Sequence, residues 1–255
     1  MAAVQVSLAR HATLLVEMAG LRILVDPMLG DPGSAPPVPG TPNQRPNPLV
    51  PLAVPVGELV RDLDAVLLTH LHADHLDDAA AAALPADVPV LCQPADADDL
   101  GQRGFTDARP VEAELPFEGV RVTRTAGRHG TGEIGEAMAP VSGFVLSAEG
   151  EPTLYLAGDT IWCPEVAEAL DAHRPDRVVV NAGAAGFTEG DPITMTAADV
   201  LATAKAAPQA RVAAVHLEAV NHCLLSRPEL RAAAEREGIA RRVEVPEDGA
   251  ELFSP

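Results

Sequence analysis

Between Thr69 and His75 the chain reads Thr-His-Leu-His-Ala-Asp-His, so three histidines and one aspartate fall within six residues. Neutral imidazole and carboxylate are the preferred donors for zinc and related first-row metals. His70 and His72 are two apart, which places them on one side of an extended backbone. Asp74 and His75 follow in a turn. An apolar run, Asp64-Ala-Val-Leu-Leu-Thr69, leads directly into the cluster. Four such groups gathered at a strand end lose hydration unless something pairs them. A solvated turn with Asp74 as a helix cap accounts for one aspartate and leaves three histidines unexplained.

Three further polar residues repeat this placement. His129 follows the apolar stretch that ends at Thr125, Asp159 follows Leu154-Tyr155-Leu156-Ala157-Gly158, and His216 follows Val212 to Val215. The C-terminal ends of strands are where α/β sheets present their sites. Each residue alone reads equally well as a surface histidine, a turn aspartate or a satisfied core histidine. Their joint occurrence with the cluster at 70–75 is what points to a metal centre.

The pattern His70-x-His72-x-Asp74-His75, followed in order by His129, Asp159 and His216, resembles the metallo-β-lactamase-fold hydrolase superfamily, over about Val4 to His222. The stretch His11-Ala12-Thr13 through Leu21 to Pro27 is similar to the branch holding ascorbate-phosphate lactonases and N-acyl-phosphatidylethanolamine phospholipase D. The resemblance implies a four-layer αββα sandwich of two mixed sheets flanked by helices. It implies that His70, His72 and His129 hold one divalent ion, that Asp74, His75 and His216 hold a second, and that Asp159 bridges them. Asp26 would be a structural carboxylate beneath the metals. Two ions about 3.5–4 Å apart lower the pKa of a shared water and clamp the oxygens of a displacement. Zinc is the first expectation; manganese, iron and nickel also suit His and Asp donors.

The expected activity is hydrolysis of a small ester, lactone or phosphodiester by a metal-bridging hydroxide. A thiolester hydrolase, or a non-catalytic metal-binding or sensor protein on the same fold, are the alternatives. Several residues keep two readings. His222, six after His216, either protonates a leaving group or bonds nearby backbone. His11 either orients a ligand or loop or lies at the surface. Trp162, three after Asp159, either walls a substrate pocket or packs in the core. Arg45 and Asn47 either bind an anionic substrate group or are solvated loop residues.

The elements that must position these groups are legible in outline. Strands are expected at Val4–Leu8, Thr13–Met18 and Leu21–Val25, then at Asp64–Thr69, Val88–Cys92, Gly119–Thr125, Gly143–Ala148, Thr153–Ala157, Arg177–Asn181 and Arg211–Val215. Helices are expected at Leu76–Leu84, Asp96–Gly101, Pro164–Ala172, Thr196–Ala206 and Arg227–Glu237. The segment 31–55 is so crowded with proline that neither a helix nor a central strand fits it. A loop of that length inside a compact domain is a candidate cover for a site. No linker divides residues 1–255, and a single domain is expected.

Composition narrows the function classes. The 255 residues carry 37 acidic and 18 basic side chains, a net charge of -19. Nucleic-acid binding needs clustered Lys and Arg, so such a partner is not expected, and docking on anionic membranes is disfavoured. No apolar stretch is long enough for a membrane span, and Met1 to Leu8 lacks the pattern of a signal peptide. Three scattered cysteines fit a reducing cytoplasm. A small-molecule substrate is expected, and the oligomeric state stays open.

Overall fold

The computed structural model describes residues 4–254. Its strands form two seven-stranded sheets. The first half of the chain supplies β1 (Gln5–Arg10), β2 (Thr13–Met18), β3 (Leu21–Val25), β4 (Ala65–Leu67), β5 (Val90–Cys92) and β6 (Ala108–Pro110). The second supplies β7 (Glu114–Phe117), β8 (Val120–Ala126), β9 (Ser142–Ser147), β10 (Leu154–Leu156), β11 (Arg177–Asn181), β12 (Arg211–Val215) and β13 (Val243–Glu244). A last strand, β14 (Glu251–Leu252), returns to pair antiparallel with β1, so the first sheet runs β14-β1-β2-β3-β4-β5-β6. The second runs β7 to β13 in sequence order.

Both sheets have the same internal logic. Antiparallel hairpins come first, β1-β2-β3 and β7-β8-β9-β10, and parallel strands follow, β3-β4-β5-β6 and β10-β11-β12-β13. Composition explains the split. β2 alternates, with Glu17 exposed between buried Val16 and Met18, as suits a strand with one wet face. β4 and β11 are apolar runs buried on both faces. In β4, Ala65 and Leu67 face the other sheet while Val66 faces outward into a separate core. In β11, Val179 faces inward and Val178 and Val180 outward. Each buried Val or Leu among them contributes about 1.5–3 kcal/mol by leaving water.

Helices cover the two outer faces. α1 (Val56–Leu59), α2 (Asp78–Ala83) and α3 (Ala97–Gln102) accompany the first sheet, where Leu59, Ala80 and Leu100 enter the outer core. α4 (Gly132–Met138) buries none of its residues. α5 (Pro164–His173), α6 (Ala197–Ala206) and α7 (Arg227–Arg236) cover the second sheet through Val166, Leu170, Val200 and Leu230. Reciprocal capping boxes, Thr196 with Asp199 and Ser226 with Glu229, start α6 and α7. The result is the αββα sandwich expected from the sequence. Among the described residues no helix is long and apolar enough to cross a membrane.

Some elements differ from expectation. The helix after the histidine cluster begins at Asp78, capped by Asp77, whose side chain accepts from the Ala80 amide at 2.8 Å. Asp74 is therefore not a cap, and its carboxylate is available elsewhere. β6, β7, β13, β14, α1 and α4 were not anticipated. All are short or rich in proline, glycine or charge, and β13 and β14 have only two residues each, held by pairing with distant strands.

Candidate metal centre

The parallel strands of both sheets end at one edge of the sandwich, and the chemistry-bearing residues collect there. β3 ends at Asp26. β4 leads through Thr69 to the 70–75 turn, in which His75 N and Leu76 N both donate to His72 O. β8 leads to His129, β10 to Asp159, β11 ends on Asn181 and β12 leads to His216. Sharp backbone turns aim several of these side chains. His11, Asp26 and His216 have positive φ, 60°, 44° and 63°, conformations that non-glycine residues rarely adopt. Gly158 (φ +67°) turns the chain between β10 and Asp159, and a Cβ there would lie 2.6 Å from Ser142 O. Only glycine fits that corner.

The seven expected donors converge. His70 Nε2 and His72 Nδ1 face each other at 2.9 Å, and with His129 they form one group able to hold an ion. Asp74, His75 and His216 form another, together with His11. Asp159 lies between the groups. Its Oδ2 is 3.3 Å from His75 Nε2 and 3.4 Å from His129 Nε2, and its Oδ1 is 3.5 Å from His216 Nε2. Except for Asp74 and His72, all seven are buried.

The outer ring nitrogens are held from behind. His75 Nδ1–H donates to Asp26 Oδ2 at 2.9 Å, and His129 Nδ1–H to Ile193 O at 2.8 Å. His70 Nδ1–H donates to Thr69 Oγ1 at 3.0 Å, and that hydroxyl donates to Asp26 Oδ2 at 2.8 Å. His216 Nδ1 meets Cys223 Sγ at 3.4 Å. Such contacts fix each ring's tautomer and leave its inner nitrogen free to coordinate. Asp26 thus lies behind the cluster, bonded to both Thr69 and His75. His11 is fully buried, 3.2 Å from Asp74 Oδ2 through Nε2, with its ring centroid 3.6 Å from that of His216. It stands inside the cluster and is not a surface residue.

The electrostatics fit a cation-binding site. Burial is the largest influence on each group. It depresses His70 well below the ordinary imidazole value, reinforced by His75, and it lowers His11 to about 3, reinforced by His216. For His75 and His216 burial is outweighed by nearby carboxylates, Asp159 foremost, which lift both well above the usual range. Burial likewise pushes Asp74 and Asp159 upward, but the surrounding imidazoles, led by His75 and His216 respectively, hold both well below the ordinary carboxylate range. Anionic carboxylates enclosed by imidazoles require compensating positive charge. The inner nitrogens His75 Nε2 and His216 Nε2 are buried without a hydrogen-bond partner. A bound metal ion would supply that charge and coordinate those nitrogens.

A cleft of about 360 Å³ opens over the cluster. His72, Asp74, His129 and Asp159 form its floor. The proline-rich segment forms one wall, with Pro36, Pro37, Val38 and Pro39; Met28, Met138, Phe187, Ile193 and Val220 also line it, with Asn47 and Asp77 as the polar members besides the cluster and His222. Among the described residues no Lys or Arg lines it. His222 is buried at its margin, with its ring centroid 6.4 Å from that of His216, and burial lowers its pKa.

Of the remaining expected substrate contacts, only Asn47 reaches the cleft. Trp162 borders a neighbouring depression on the other side of His129 and packs against the outer core of the second sheet. The Ile161 amide donates to Arg128 O, which carries the chain away from the cleft after Asp159. Arg45 is exposed and does not line the cleft. Asn47 borders the cleft, but its amide is engaged with Asn221 in a reciprocal pair, at 2.8 Å in each direction.

Sequence reading missed Asn181, whose Nδ2 donates to Asp159 Oδ1 at 2.7 Å. Its position at the end of Arg177-Val-Val-Val-Asn181 is the same strand-end signal that marked the donors. It also missed Arg10, fully buried, which donates to Met28 O, Gly30 O and Val50 O and so anchors the base of the proline-rich segment. Met138, Phe187 and Ile193 carried no signal, because nothing local connects them to the site.

Comparison with known proteins agrees with this geometry. Residues 21–217 match the family model described as the beta-lactamase superfamily domain. The chain is 37% identical over 243 residues to the UPF0173 protein YddR of Bacillus subtilis, covering 94% of this chain and 96% of that one. It is 27% identical to a UPF0173 metal-dependent hydrolase of Azorhizobium caulinodans, over 68% of this chain and 70% of the relative. Among solved structures it is similar to the isothiocyanate hydrolase from Delia radicum gut bacteria, with a TM-score of 0.93, 36% identity, and 98% and 99% of the two chains covered. With its fold, its cluster and these relatives in agreement, the chain belongs to the beta-lactamase superfamily, as a metal-dependent hydrolase of the UPF0173 family.

Proposed function

We propose that the chain hydrolyses a small, neutral substrate whose electrophilic group carries an apolar substituent, with an isothiocyanate as the first candidate. The observation that carries this reading is the cleft. Its floor is the His/Asp cluster and its walls are proline, methionine, valine, isoleucine and phenylalanine, with no basic side chain to meet a phosphate. The similarity to an isothiocyanate hydrolase over nearly the whole chain supports the same class. The apolar walls equally suit a neutral ester or lactone, which keeps those as the second reading, ahead of a phosphodiester.

On this proposal two divalent ions are held, one by His70, His72 and His129 and the other by Asp74, His75 and His216, with Asp159 facing both. Bound there, divalent ions supply an activated water and polarise the substrate. The residues of the chain do the rest. Asp26, Thr69 and the Ile193 carbonyl hold the imidazoles in register, and the apolar walls exclude bulk water. His222, neutral and with its Nδ1 buried without a partner, stands at the margin to move a proton to the departing group. For R–N=C=S, water adds its oxygen to the central carbon and protons reach nitrogen. The C–N bond then breaks, one water having given the amine and carbonyl sulfide.

The test is a panel assay of metal-reconstituted protein, following amine release from benzyl isothiocyanate beside neutral esters, lactones, thiolesters and phosphodiesters. Turnover of the neutral apolar members above the phosphodiesters is expected. Fastest turnover of a phosphodiester would overturn the reading, and metal binding without turnover of any member would favour the sensor alternative.

A further inference from the structure

The wall of the cleft formed by the proline-rich segment has almost no secondary structure of its own. Apart from one bridge, Ala35 with Asn47, its tip makes no ladder. A buried side chain from the other half of the molecule supplies many of the missing hydrogen bonds, beside the Thr188 amide, which donates to Gly40 O. Asn221 is 1% exposed. Its Oδ1 accepts from the Val38 amide at 2.9 Å and from Asn47 Nδ2 at 2.8 Å. Its Nδ2 donates to Thr41 Oγ1 at 2.7 Å, to Val38 O at 3.2 Å and to Asn43 O at 2.5 Å. Its own amide donates to Asn47 Oδ1 at 2.8 Å. Val38 lines the cleft, and so does His222, the next residue in the chain.

A loop this long and proline-bound can donate few backbone hydrogen bonds to itself, because proline has no N–H. A carboxamide that offers both a donor and an acceptor from one plane can organise carbonyls and amides together. No other residue type of that size carries a carbonyl oxygen and an NH2 group together. We propose that Asn221 is a positioning residue that determines specificity, shaping the tip of the loop so that Val38 and its flanking prolines close on the apolar substituent of the substrate. This rests on the reading that the cleft binds that substituent.

Asn221→Asp tests it with little change of size. The carboxylate keeps the acceptor but replaces the NH2 group by one oxygen that faces Val38 O, Asn43 O and Thr41 Oγ1. The preference for benzyl over methyl isothiocyanate, as a ratio of kcat/KM, is expected to fall about tenfold or more, through a higher KM for the benzyl compound. Turnover of the methyl compound falls far less, and metal content is unchanged. Hydrogen exchange should quicken in residues 36–47 while the two sheets keep their protection. Thr41→Val removes the hydroxyl that accepts from Asn221 and donates to Val38 O and Asn43 O, and it should shift the same ratio in the same direction, even if Asn221→Asp does not fold. The binding preference of metal-loaded protein for phenylmethanethiol over methanethiol gives the same comparison without turnover. Failure of the parent protein to hydrolyse either isothiocyanate would overturn the substrate proposed above, while the thiol ratio still decides the role of Asn221. An unchanged preference in both variants, or no change in exchange at 36–47, would overturn it.

Discussion

The two sheets bring their share of the metal cluster in different ways. The first delivers His70, His72, Asp74 and His75 from one turn after β4. The second delivers His129, Asp159 and His216 singly, from the ends of β8, β10 and β12. Yet neither sheet brings all the donors. His70 and His72 group with His129, and Asp74 and His75, with His11, group with His216. The lesson is that a local motif can be conspicuous without being sufficient. The turn after β4 contributes to every donor group, and docking of the two sheets brings His129, Asp159 and His216 to it. Asp159 is the point where the two contributions meet.

The largest expected effect comes from that point. Asp159→Ala removes the carboxylate within 3.5 Å of His75, His129 and His216, leaving buried imidazoles without their anionic partner. Hydrolysis should fall to background and at least one bound ion should be lost, as elemental analysis will show. Full metal content in this variant would break the view that one residue joins the two groups. Next, if each ion ties one sheet to the other, chelation should loosen the whole molecule. A ligand present at a hundred times its Kd adds about 2.7 kcal/mol, and for a chain of this size that is about 5–10 °C in Tm. Thermal unfolding with and without chelator measures it, and equal Tm values would separate metal binding from sheet docking.

A smaller effect tests the first sheet alone. Asp26 bonds His75 and Thr69, and through Thr69 reaches His70. Asp26→Asn should weaken metal affinity or activity by about 10–100-fold, with the fold intact by circular dichroism. Competitive metal titration gives the number, and an unaltered affinity would mean that the turn holds its own shape. The smallest effect concerns charge. With a net charge of -19 and no basic residue in the cleft, a neutral substrate feels no long-range steering. Its kcat/KM should stay flat from low to moderate ionic strength, whereas salt screening should raise that of an anionic one. A steep fall with salt would point to a basic approach path.

The same contrast between sheets explains what was readable in the sequence. The donors of the first sheet lie within six residues, and their spacing alone suggests metal. Those of the second are separated by 30 residues or more and acquire meaning only as a series of polar residues after apolar runs. β3 and β12 were found at their correct ends because apolar runs stop there at Asp26 and His216. α4 was missed, because its Gly132-Glu-Ile-Gly-Glu-Ala-Met138 sequence has weak helix propensity and no buried face. The cleft walls were largely illegible. Phe187 and Ile193 come from a loop whose course is set by contacts such as Ile193 O with His129, and Trp162 drew attention by proximity in sequence to Asp159 while packing elsewhere. Arg45 and Asn47 show the same limit, since a loop's polar residues do not announce whether they face solvent, substrate or another loop.

The proline-rich wall has one more consequence, for the protein's survival among proteases. A long surface loop is ordinarily where a chain is nicked. Between Arg22 and Arg61 the sole basic residue is Arg45, and Pro46 follows it, a bond that trypsin does not cut. The other prolines deny most endoproteases the backbone N–H groups by which they grip an extended strand. The segment that shapes the cleft is therefore also among the least digestible parts of the surface, and tryptic digestion should release residues 23–61 as a single uncut peptide.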